Sequence, residues 1–99
     1  MSRSLIERRL GEVAGRLKAL ETELGVVDEQ LAHFAEEADD ARLRALVSET
    51  PLADRESTEA ARHADAMARH RATVVAEIAE LERSRDDLLD RLLAESRPR

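Results

Sequence analysis

The amino-acid sequence predicts an all-α fold, an antiparallel two-helix coiled-coil hairpin, on three observations. The first is an unbroken apolar period. From Ile6 to Ala45 the apolar residues fall at Ile6, Leu10, Val13, Leu17, Leu20, Leu24, Val27, Leu31, Phe34, Ala38, Ala41 and Ala45, in steps of alternately four and three. Such steps draw one narrow seam along a helix, and a seam that narrow needs a partner helix to cover it. The second is composition: 38% of the 99 residues are charged and 1% aromatic, with three glycines and two prolines. A chain rich in Ala, Glu, Arg and Leu with a 3.5-residue period makes long helices rather than a thick globular core, and its heptads argue against disorder despite the charge content. The third is a single break at Ser48-Glu49-Thr50-Pro51, short enough to force the two helices to lie antiparallel.

The first helix is expected over residues 4–48. Ser2 or Ser4 can cap it, and Glu7, three residues after Ser4, completes a capping box. Leu10, Leu17, Leu24 and Leu31 take a positions, and Ile6, Val13, Leu20, Val27 and Phe34 take d. Gly11, Gly15 and Gly25 fall at b, f and b, each costing about 1 kcal/mol against alanine. They are either tolerated surface positions or, along the Gly11/Gly15 side, a place where another chain approaches closely. Residues 48–51 form the turn. Thr50 is a good N-cap and Pro51 suits the first helical position, so the second helix is expected over 51–95, with a frayed tail at 96–99. Asp54 and Glu56 then sit where the helix dipole favours negative charge. The second seam is Ala53, Ala60, Ala64, Met67, Val74, Ile78, Leu81, Leu88 and Leu92, with Ser57, Arg71 and Arg85 at a positions where apolar residues would be expected. Residues 1–99 thus read as a single helical hairpin with helices of roughly 65 Å.

Facing a against d across the hairpin pairs Ala45 with Ala60, Ala41 with Ala64, Ala38 with Met67, Leu31 with Val74 and Leu17 with Leu88. A shift of one heptad is the alternative. In the first register Phe34 opposes Arg71, whose alkyl stem can lie on the ring. Alanines crowd the turn and large residues the open end, where apolar surface exceeds what a two-helix seam can cover. Leu5, Leu89 and Leu93 lie off the seam, and Ala14, Ala61, Ala68, Val75 and Leu89 form a second stripe at e. This surplus predicts that two hairpins pack into a four-helix homodimer, with Leu5, Val75, Leu89 and Leu93 in the interface, or that another protein docks there.

Other classes fit less well. The absence of cysteine excludes disulfides and thiolate zinc sites. No signal peptide or membrane-length apolar run is present, and a cytoplasmic location is expected. Arginine over lysine and abundant alanine look like a high-GC bacterial genome. A net charge of −6 disfavours direct binding to nucleic acid or anionic lipid. The leucines at every seventh residue lack the long basic extension of a DNA-gripping zipper. His63 and His70 are seven residues apart, about 10 Å along one helix, and His33 is on another face, so flanking hydrogen bonds rather than a metal explain them. The acidic run Glu36-Glu37-Ala38-Asp39-Asp40 sits among Arg42, Arg44, Arg62 and Arg69. It reads as a salt-bridged face or as an acidic docking patch. No nucleophilic triad, phosphate loop or nucleotide fingerprint is present, so no enzymatic activity, cofactor or metal is expected.

The turn is the most distinctive surface. Leu43, Leu46, Val47 and Leu52 cluster there with Glu49, Asp54 and Glu56 around them. Leu46 and Leu52 can cap the end of the seam, but Leu43 lies at f, where no intramolecular partner is available. Leu52-Ala53-Asp54-Arg55 through Ala60-Ala61-Arg62 resembles the coiled-coil tip of the Gre-type transcript-cleavage factors, in which a Gly-Asp-Leu-x-Glu-Asn stretch precedes an Ala-Ala pair. That family inserts a hairpin into the secondary channel of RNA polymerase, where tip carboxylates help hold a catalytic magnesium. The likeness covers about a dozen residues. Asp54 stands at the family's Glu, Pro51 at its essential Asp and Arg55 at its Asn, and the family's C-terminal globular domain has no counterpart in these 99 residues. The resemblance implies a channel-probing hairpin without cleavage activity. The expected function is a protein–protein interaction module presenting the tip to a partner protein, with RNA polymerase regulation or a purely structural dimerisation role as alternatives.

Overall fold

The computed structural model describes residues 2–96. It contains two helices packed as a hairpin, α1 (Arg3–Ser48) and α2 (Pro51–Ser96), of 46 residues each. The first cap is Ser2, not Ser4: its hydroxyl accepts from the Leu5 amide at 3.2 Å, so the helix begins one residue earlier than expected. The Ser4/Glu7 capping box does not form, and Glu7 instead accepts from Arg3 at 3.1 Å. At the far end Ser96 is still helical, with its hydroxyl donated to the Leu92 carbonyl. The rest of the tail expected to fray lies outside the described residues.

Between α1 and α2 lie Glu49 and Thr50 alone. Glu49 adopts a left-handed conformation (φ 51°) and its amide donates to the Ala45 carbonyl at 3.1 Å. This is the single-bond αL ending of a helix, a place that usually holds glycine. With a Cβ there, the conformation costs roughly 1–2 kcal/mol. Thr50 then caps α2, its hydroxyl accepting from the Ala53 amide at 3.2 Å, and Asp54 occupies the first turn.

Packing divides the chain into two compact units, Met1–Glu23 with Val74–Arg99, and Leu24–Thr73. Every residue placed on the two seams is buried or half-buried, including the polar a positions Ser57, Arg71 and Arg85. Among the described residues the buried core of the first unit is Ile6, Leu17, Leu20, Val74 and Leu88, and that of the second is Val27, Ala41 and Ala53. Large side chains therefore fill the first unit, while the second has two alanines among its three. In the first unit Arg16 and Glu77, both at g, pair at 2.9 Å. In the second, the Phe34 and His63 rings meet in a T-shaped arrangement at a centroid distance of 6.0 Å, and Arg71 pairs with Asp28.

These contacts correct the register. Phe34 does not face Arg71. Its partner is eight residues earlier on α2, and the partner of Arg71 is six residues earlier on α1, so the pairing is displaced by about one heptad. The link explains the shift. Ala45 lies three residues from the end of α1 and Ala60 nine from the start of α2. Levelling them would need an axial offset of about 9 Å, which a two-residue connection does not supply. The shift also gives Arg71 a carboxylate at Asp28, where the expected register offered Ala35.

Candidate functional site

The turn end of the second unit is built from the last three turns of α1, the Glu49-Thr50 link and the first three turns of α2. Its seam residues there are small: Ala38, Ala41, Ala45, Ala53 and Ala60. Leu43 at f, Leu46 at b, and Val47 and Leu52 at c lie off that seam on the outward side of their helices. Leu43, Leu46, Val47 and Leu52 are accordingly 61, 66, 85 and 59% exposed. The expectation that Leu46 and Leu52 cap the seam is therefore corrected: both project outward. Leu43 and Leu46 line a shallow groove of 360 Å³ with Asp39 and Arg42.

The charges around this patch are not compensated locally. Residues 36–62 hold eight carboxylates against four arginines, giving −4 of the chain's net −6. The acidic run forms a solvated face, as expected, but the salt bridges expected with the neighbouring arginines are absent among the described residues. Among the described residues Glu37 pairs with His33 at 3.2 Å, and neither Glu36, Asp39 nor Asp40 has an ion pair with Arg42, Arg44, Arg62 or Arg69. Glu49, Asp54 and Glu56 are exposed and likewise without ion pairs. An open groove of 420 Å³ between the helices of this unit is lined by Glu37, Asp40, Arg44, Glu56, Glu59 and His63. No three metal-ligating side chains converge among the described residues.

In the first unit, Leu5 is half-buried, whereas Val75, Leu89 and Leu93 are exposed. Gly11, Gly15 and Gly25 each have open space where a Cβ would stand, with nothing within 4 Å. Among the described residues, no part of the chain approaches closely along Gly11/Gly15. Sequence reasoning passed over Val26, which is 51% exposed at position c. It also missed that Glu36, Asp39, Asp40, Leu43, Leu46 and Val47 share one face of α1. The f, b and c positions of two consecutive heptads carry that information. No helix among the described residues is long and apolar enough to cross a membrane. Comparison of the chain with protein-family models, curated proteins and solved structures returns no match.

Proposed function

We propose that this chain is a non-enzymatic protein–protein interaction module whose contact surface is the turn end of the hairpin. One observation carries the reading: Leu43, Leu46, Val47 and Leu52 stand more than half exposed on the outside of a fold whose own seam does not need them. Leu43, Leu46 and Val47 share one outward face of α1, exposed apolar groups gathered on one face mark interaction surfaces, and each further burial of such a side chain contributes about 1 kcal/mol or more. The test uses the immobilised full chain beside its Leu43→Ser/Leu52→Ser variant. Both substitutions are at exposed positions, so helicity is expected to be unchanged. A specific partner should be retained by the first and lost by the second, with affinity falling about tenfold or more. Equal retention by both rules out the turn end as the contact.

The unpaired carboxylates Asp54 and Glu56 at the same end favour a particular version, regulation of RNA polymerase by a hairpin entering its secondary channel. Polymerase subunits among the proteins lost on substitution would support it, and their absence would exclude it.

A second surface favours self-association. Leu89 and Leu93 are exposed one helical turn apart, with Val75 about four turns earlier on α2, and a second copy would cover them in a four-helix dimer. Sedimentation equilibrium is expected to give twice the chain mass for the wild type and a single chain mass for Leu89→Ser/Leu93→Ser. A wild-type monomer at high concentration sinks the dimer.

A further inference from the structure

Leu43, Leu46 and Val47 repeat, two turns on, the f, b and c positions held by Glu36, Asp39 and Asp40. One outward face of α1 thus runs from acidic to apolar within a dozen residues. All six side chains are exposed, and the three carboxylates have no ion pair among the described residues. From this order we infer that the turn end docks a basic amphipathic helix, with its apolar side chains against Leu43, Leu46 and Val47 and its lysines or arginines about 10 Å away against Glu36, Asp39 and Asp40. The inference rests on the turn end being the contact surface and adds the chemistry and layout of what covers it.

Charge selects this occupant over a second copy of the chain. A copy packed in the same direction sets carboxylates against carboxylates, and one packed in the opposite direction sets them against leucines. Both arrangements desolvate charge without a counter-charge. Arg42 borders the apolar groove, but with Arg44 it offsets only part of the charge on Glu36, Glu37, Asp39 and Asp40, so the net charge of this stretch remains negative. A basic helix gains at both ends of the face, and its encounter is steered by the field.

The probes are three fluorescent helical peptides titrated with the full-length protein. One carries a leucine row and, two turns away, three lysines. The second replaces the lysines by glutamates, and the third has the composition of the first with the two groups intermixed. The ordered lysine peptide should bind about tenfold more tightly than either of the others, and should weaken several-fold when salt rises from roughly 50 to roughly 300 mM. Leu43→Ser/Val47→Ser and Asp39→Asn/Asp40→Asn should each reduce its affinity about tenfold while helicity by circular dichroism stays constant. Equal binding of all three peptides, no binding of the lysine peptide, or binding unaffected by the Leu43/Val47 substitutions overturns the inference.

The two readings fail differently. A partner lost by Leu43→Ser/Leu52→Ser but kept by Asp39→Asn/Asp40→Asn at every salt concentration retains the contact surface and refutes the basic helix. A partner kept by both variants removes the contact surface itself.

Discussion

Replacing Leu20 by alanine is expected to destabilise the hairpin by about 3 kcal/mol. Leu20 is 1% exposed at a d position of the first unit, with the equally central Leu17 one turn away. Truncation removes the transfer energy of the lost carbons and leaves a cavity that a two-helix seam can only partly close. Alanine's better helix propensity returns a few tenths of a kcal/mol, too little to change the outcome. Urea unfolding followed by circular dichroism checks it, as a lower midpoint. Leu46→Ala supplies the comparison, because the same chemistry at 66% exposure should change stability by about 0.5 kcal/mol or less. Similar losses from the two substitutions would mean that the seam does not hold the helices together.

The triple substitution Gly11→Ala/Gly15→Ala/Gly25→Ala should act in the opposite direction, stabilising the protein by roughly 2–3 kcal/mol. All three glycines are inside α1, none has positive φ, and a methyl group at each would meet nothing within 4 Å. The cost of glycine here is therefore the freedom it retains in the unfolded chain, with no tight packing to set against it. The midpoint of urea unfolding should rise at every protein concentration. A fall, or a gain seen only in dilute solution, would mean that another chain does pack along this side.

Periodicity made most of the fold legible. The residues placed on the seams by their steps of three and four are those the structure buries, and Thr50 and Pro51 located the second helix start. Register was not legible in the same way. Heptads repeat, so every seven-residue slide of the pattern looks equally good, and the pairing of large with large favoured the wrong slide. The length of the link decides it, with Asp28 waiting for Arg71 in the observed slide. At the candidate site, Leu43, Leu46 and Leu52 were all legible as off-seam residues from their f, b and c positions, and the expectation that Leu46 and Leu52 fold over the end of the seam overrode that signal. The salt-bridged acidic face failed for another reason. Proximity along helices does not bring exposed charges together when each pair is worth so little that water competes equally well.

The uneven distribution of core side chains bears on the order of assembly. Closing the chain from Asp28 to Arg71 spans 43 residues, and from Arg16 to Glu77 spans 61. The entropic difference between those two closures is only about 0.3 kcal/mol, less than one buried methylene supplies. Nearness to the bend therefore gives Asp28 and Arg71 almost no head start, and the shorter closures within the alanine seam bury little apolar surface to hold them. The first contacts to survive in a folding chain should be those between the leucines, isoleucine and valine of the remote half.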